Sequence, residues 1–183
     1  MRDLADAARI RRLMRGLSEA ADREASVYFT GGASAVLLGW RPTTIDVDLR
    51  FVPDSDRLLR AIPALKENLQ INVELACPSD FIPEIPGWQE RSRFIEKEGR
   101  LSFFHYDFYS QALAKIERGH AQDIGDIEEM IRRGLVEPER ALPFFDQIEL
   151  ELHRYPAIDP PSFRRAAESI LKKPNEFAPA RAE

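Results

Sequence analysis

Residues 28–52 read YFTGGASAVLLGWRPTTIDVDLRFV, and the order of glycines, apolar residues and acids in this stretch decides the fold. Residues 26–30 form a short apolar strand. Gly31-Gly32 make a turn, because glycine accepts backbone conformations that side chains forbid. Residues 33–38 are apolar and helix-prone, and Gly39 ends them. Pro42-Thr43-Thr44 breaks the pattern. Residues 45–52 are a second strand, stopped by Pro53-Asp54. Residues two apart in a strand share a face. Asp46 and Asp48 therefore point one way, with Arg50 beyond them, while Ile45, Val47 and Leu49 point the other way and pack on helices.

Working outward, Leu4, Ile10, Leu13, Met14 and Leu17 recur at three- and four-residue steps and predict an amphipathic helix over 3–24. Residues 58–69 read as a helix and 71–76 as a strand. Pro78, Pro83, Pro86 and Gly87 make the next stretch irregular, and a hairpin around Glu98-Gly99 joins 93–95 to 101–106. Helices follow over 109–118, ended by Gly119, and over 123–133, with Gly134 beyond. Pro138 fits the first turn of another helix, reaching about His153. Tyr155-Pro156 and Pro160-Pro161 mark a linker before a short helix at 162–173 and a tail, PNEFAPARAE, whose composition reads as disordered. The expected fold is α+β: a small mixed sheet flanked by helices, with a C-terminal helical part. The expected division is a core at 1–108, a helical part at 109–155 that completes the site, and a linker, helix and tail at 156–183.

With 183 residues, 44% of them hydrophobic and 31% charged, the chain has enough apolar material for a real core and the charge of a soluble protein. No apolar run approaches the ~20 residues of a membrane span. The charged N-terminus lacks the apolar segment of a signal peptide. Cys77 is the only cysteine, which excludes an intrachain disulfide or a cysteine metal cluster. These features fit a cytoplasmic location. A net charge of -5 argues against a surface given over to nucleic acid. Arg2, Arg9, Arg11, Arg12 and Arg15 in the first helix, and Arg91, Arg93 and Arg100 later, read as solvated faces and ion pairs.

Strand parity adds a third acid. Ile71, Val73 and Leu75 take one face of their strand, and Asn72 and Glu74 the other. If that strand neighbours 45–52, Glu74 lies beside Asp46 and Asp48. Three converging carboxylates repel one another and call for a cation or open water. Mg²⁺ (or Mn²⁺) suits such oxygen donors together with substrate phosphates. Gly31 and Gly32 allow close approach of a phosphate to the backbone N–H groups of the helix that follows, and the Ser34 hydroxyl adds a donor. Each piece alone has a plainer reading: a glycine pair is usually a turn, an Asp-x-Asp a solvated strand face. Their occurrence in one order is the specific signal.

Gly31-Gly32, the thirteen intervening residues and Asp46-x-Asp48 between apolar neighbours resemble the signature of the polymerase-β-type nucleotidyltransferase superfamily. Within it, GGASAVLLGWRPTTIDVDL is similar to the minimal nucleotidyltransferases and AbiEii-like proteins of toxin–antitoxin systems. A second block, ALAKIERGHAQDIGDIEEMIRRGLV, resembles that group's helical motif. The resemblance covers residues 27–136. It implies that Lys115 reaches the triphosphate, that Asp123 positions Lys115 or a substrate hydroxyl, and that Arg118 contacts phosphate. The plainer readings are a snorkelling lysine and, for Asp123 and Asp126, service to the helix N-terminus. Two departures stand out: the third acid is a glutamate, and the chain is shorter than many AbiEii-like toxins.

The function implied is transfer of a nucleoside monophosphate from an NTP to an RNA (a tRNA end among the candidates) or to a protein acceptor, within a toxin–antitoxin pair. Asp46, Asp48 and Glu74 would bind metal; Gly31, Gly32, Ser34, Lys115 and Arg118 would bind the nucleotide. The alternative is a non-catalytic, antitoxin-like regulatory protein on the same fold. His105, His120 and His153 lack metal-ligand spacing. Cys77 reads as core, Trp40 as packing near the cleft, and Arg41 as either a phosphate contact or surface charge.

Overall fold

The computed structural model describes residues 4–172. They form two units, residues 4–77 with Ser92–Tyr106, and Pro78–Arg91 with residues 107–172. The stretch 78–91, assigned by sequence to the core at 1–108, groups with the C-terminal helices. The PNEFAPARAE tail lies outside the described residues.

The first unit is built on a five-stranded mixed sheet of order β3-β2-β1-β5-β4: β1 (Ala25–Thr30), β2 (Asp46–Val52), β3 (Asn72–Leu75), β4 (Arg93–Glu98) and β5 (Leu101–His105). β1 runs antiparallel to β2 and parallel to β5; β2 and β3 are parallel; β4 and β5 form the expected hairpin. Three helices, α1 (Ala7–Ala20), α2 (Gly31–Leu37) and α3 (Asp56–Leu69), belong to this unit. The α+β expectation holds.

Local chemistry sets the helix ends. The Asp6 carboxylate accepts from Arg9 N at 2.8 Å and caps α1, and Ala21 turns extended. The helix is therefore shorter than the periodicity suggested, since an N-cap residue leaves helical backbone. Gly31-Gly32, expected as a turn, are the first two residues of α2. Ser55 caps α3 through Leu58 N, and Gln70 closes it in left-handed conformation. Ile10, Leu13, Met14 and Leu17 of α1 are buried, and join Val27, Phe29, Val47, Leu49, Val73, Leu101 and Phe103 of the strands in one core cluster. Full burial stabilises by roughly 1.5–3 kcal/mol for each large apolar side chain. β2 alternates half-buried Asp46, Asp48 and Arg50 with buried Val47, Leu49 and Phe51, so one sheet face packs and the other carries the acids.

The second unit is helical: α4 (Trp88–Arg91), α5 (Phe108–Arg118), α6 (Ala121–Arg132), α7 (Pro138–Glu149) and α8 (Pro160–Leu171). The helix expected to reach His153 stops at Glu149, followed by a 3-10 turn at Leu152–Arg154. Asp107 anchors α5. Its carboxylate accepts from Tyr109 N, Ser110 N and the Ser110 hydroxyl, and forms an ion pair with Arg91 at 2.9 Å. α8 packs against α5 and α7, with Phe163 edge-on to Phe145 at 4.8 Å. No helix among the described residues is long and apolar enough to cross a membrane.

Candidate active site

The acids of the first unit come together as strand parity predicts. Asp48 is the register partner of Glu74 across the parallel β2–β3 pair and of Thr30 across the β1–β2 pair. Asp46 pairs with Asn72. Asn72 stitches the strip: its amide donates to Asp46 Oδ1 at 2.6 Å and to Glu74 Oε1 at 2.9 Å. Parity had put Asn72 on this face, but nothing in its residue type marked it as the bridge between two carboxylates. Among the described residues no three His, Cys, Asp or Glu side chains are arranged to hold a metal ion. The strip offers the Asp46–Asp48 pair on one strand, with Glu74 joined to it through an amide.

The glycines meet this strip from β1. Gly31 has a φ of +56°, where an L side chain is strained, and a Cβ there would lie 3.2 Å from Asp48 Oδ2. At Gly32 the close neighbour is a side chain. A Cβ on it would fall 2.0 Å from Thr44 Oγ1 and 2.7 Å from Thr44 Cβ. Thr44 is buried, and its hydroxyl donates to the Asp46 carbonyl at 2.9 Å. Close packing at Gly32 thus ties the start of α2 to the start of the acidic strand. Thr30 precedes α2 without capping it through its side chain, so that side chain satisfies none of the first-turn N–H groups.

Ser34 departs from its expected place. It is fully buried, donates to the Phe29 carbonyl at 3.2 Å, and has His105 Nδ1 at 3.0 Å. One helical turn into α2, its side chain points toward the core and serves the packing of α2 on β1 and β5. His105 is a buried polar partner that its spacing gave no reason to expect. Desolvation, with Arg93 nearby, lowers its pKa to about 4 and keeps the ring neutral at physiological pH.

In the second unit Lys115, Arg118 and Asp123 also come together, with Asp126 as a fourth member. Lys115 Nζ donates to Asp123 Oδ1 at 2.9 Å and to Asp126 Oδ2 at 2.7 Å, and all three residues are buried. Arg118 forms a fork on Asp123, at 2.8 and 2.6 Å. Lys115 and Arg118 are three residues apart on α5, and Asp123 and Asp126 three apart on α6. The facing stripes are legible in sequence once the two helices are known to pack. Burial alone would raise the Asp123 pKa, but hydrogen bonds and charge from Arg118 and Lys115 outweigh it and bring it down to about 2. Asp126 is drawn into this ion cluster rather than acting only on the helix dipole. Cys77 is buried and Trp40 half-buried.

A glycine-started helix that follows one strand of a mixed sheet and abuts the acidic pair on the next is the arrangement of a nucleotidyltransferase domain. The chain belongs to the family described as "Nucleotidyltransferase of unknown function (DUF6036)", whose model matches residues 7–140. No curated protein and no solved structure matches the chain.

Proposed function

We propose that the protein is a Mg²⁺-dependent nucleotidyltransferase of the polymerase-β type that moves an NMP from an NTP to an RNA or protein acceptor. The observation that carries this is the placement of Gly31, at the start of α2, against Asp48 of the strip that also holds Asp46 and Glu74. Mg²⁺ takes one or two protein carboxylates and completes its shell with water and phosphate oxygens, and the Asp46–Asp48 pair fits that demand. Glu74 would act from one shell further out, orienting Asp46 through Asn72. When bound, the metal would neutralise triphosphate charge and orient the α-phosphate. The N–H groups opening α2 at Gly31 and Gly32 would face phosphate oxygens. The acceptor hydroxyl oxygen forms a bond to the α-phosphorus as the bond to the β-phosphate oxygen breaks. Pyrophosphate leaves, and a carboxylate of the strip takes the hydroxyl proton. Positioning and charge neutralisation supply the rate.

The resemblance to AbiEii-like proteins supports a toxin–antitoxin setting, with a cognate partner and with RNA, a tRNA end included, or a protein side chain as acceptor. It also supports a phosphate-binding role for Lys115 and Arg118, with Asp123 holding both. The closed ion cluster favours a second reading, a non-catalytic regulatory protein on this fold, because Lys115 commits two of its three donors to Asp123 and Asp126. Transfer of label from each α-labelled NTP in the presence of Mg²⁺ tests the first reading. Incorporation that Asp46→Ala and Asp48→Ala both abolish supports it; undiminished incorporation in both variants removes the proposed site. Calorimetry with each NTP and Mg²⁺ tests the second, which predicts no binding.

A further inference from the structure

We propose that the acid-bearing face of the sheet carries a platform for unpaired nucleobases, which holds the end of a single-stranded RNA acceptor. The proposal rests on the nucleotidyl-transfer reading and narrows its acceptor to RNA.

Four side chains occupy directly opposed positions on four adjacent strands: Arg50 on β2, Tyr28 on β1, Phe104 on β5 and Phe94 on β4. The row shares its face with Asp46 and Asp48, since Arg50 is two residues beyond Asp48 on one strand. The rings touch in sequence: Tyr28 stacks on Phe104 at 5.1 Å, and Phe94 meets Phe104 edge-on at 5.6 Å. Tyr28 is buried, Phe104 half-buried, and Phe94 61% exposed. Two anchored rings thus back a third that lies open on an edge strand.

Beyond Phe94 the β4 ladder shifts register before Glu96. Ile95 packs against the core and Glu96 meets Arg11 of α1 at 3.3 Å. Bulges of this kind re-aim side chains at functional edges. Here the chain turns back to the packed side after a ring left exposed on the acidic face.

An unpaired base has a flat apolar face that stacks on aromatic rings, and its phosphate pairs with a guanidinium. Sheets that read single-stranded RNA place aromatic residues on adjacent strands, where two or three bases stack. The open part of the row is its β4 end, where exposed Phe94 and half-buried Phe104 leave room for one or two stacked bases, three strand spacings (about 14 Å) from β2 and its acids. A duplex has its bases paired and stacked internally and offers no such face.

The test is fluorescence anisotropy with a fluorescein-labelled single-stranded RNA of about eight nucleotides, without NTP or Mg²⁺. The full chain should bind it, and the same sequence as a duplex should compete poorly. Phe94→Ala should weaken binding about five- to hundred-fold, the range for loss of one stacked base, and Phe94→Trp should retain it. Phe94 is exposed, so the alanine variant should keep its thermal unfolding midpoint, checked in parallel. Absence of binding, equal affinity of Phe94→Ala, or a duplex bound as tightly as the single strand would overturn the proposal. So would a Phe94→Ala variant that loses self-association in sedimentation with RNA affinity unchanged, which would assign the row to a protein contact. Phe94-dependent RNA binding with no transfer from any NTP leaves the platform standing and removes the transferase reading. Transfer to RNA at the same rate in Phe94→Ala does the reverse.

Discussion

Asp48 of β2 closes on Gly31 at the start of α2: the carboxylate Oδ2 lies 3.2 Å from where a side chain on Gly31 would begin, and Gly31 holds a φ of +56°. Gly31→Ala therefore meets two penalties, a left-handed backbone that costs about 1–2 kcal/mol for an L residue and a methyl group against a carboxylate. Urea unfolding should show a loss of at least that size. Gly31→Ala combined with Asp48→Ala should recover part of it, because the contact partner is gone. Strict additivity of the two substitutions in that cycle would deny the coupling.

Asn72 is predicted to matter through Asp46 rather than through substrate. It donates to both Asp46 and Glu74, and Asn72→Leu leaves two neighbouring carboxylates without the amide between them. If the strip is the transfer site, Asp46→Ala and Asp48→Ala should each lower transfer by about 10²–10³-fold, as loss of one preorganised electrostatic group does. Asn72→Leu should lower it less, and part of its defect should be relieved by raised Mg²⁺, which screens the repulsion. Metal-titrated transfer assays read this out; an Asn72→Leu defect insensitive to Mg²⁺ would place the fault in the fold.

The Lys115 cluster gives a stability prediction that holds whatever the chemistry. Lys115→Met removes the cation between two buried carboxylates and leaves Asp126 without its 2.7 Å ion pair. Breaking a buried pair from one side costs about 3–5 kcal/mol, measurable by urea unfolding. Arg118 is half-exposed at its side chain, so Arg118→Gln should cost about 1 kcal/mol or less. Lys115→Met with both Asp123→Asn and Asp126→Asn should recover much of the loss. If Lys115→Met is as mild as Arg118→Gln, the cluster is not closed in solution.

Period-two alternation in DVDL and NVEL was enough to place Asp46, Asp48 and Glu74 on one face, because strand geometry leaves a side chain only two directions. The pairing of β2 with β3 completed the strip. Ser34 misled because a hydroxyl just after a glycine pair suits phosphate and a buried carbonyl equally well, and only the rotation of α2 decides between them. The glycine pair marks a close approach at Gly32, and its neighbour is Thr44, twelve residues on, brought back by the bridge between Ala5 and Thr44. The roles of His105 and Asp126 are hidden in the sequence for the same reason. Their partners lie on other elements, and spacing along one chain segment carries no information about them.

His105 makes the acid sensitivity of the first unit predictable. Its ring is buried against Ser34, and desolvation, then Arg93, lowers its pKa from 6.5 to about 4. In the unfolded chain the ring takes a proton near pH 6.5, while the folded protein refuses it until about pH 4. Between these values the unfolded state binds more protons, so folding stability falls as pH falls, and the loss levels off below about pH 4. At about 1.4 kcal/mol per pKa unit the full window is worth about 3 kcal/mol. Asp123 adds loss at lower pH: its pKa, held down to about 2, gives stability that is complete above about pH 4 and disappears as pH falls through 2. Urea unfolding of wild type and His105→Gln between pH 4 and 7 separates the two. Gln cannot titrate, so the variant's stability should be nearly flat from pH 7 to 5, where the wild type slopes. Parallel slopes over that range would show that another group carries the titration.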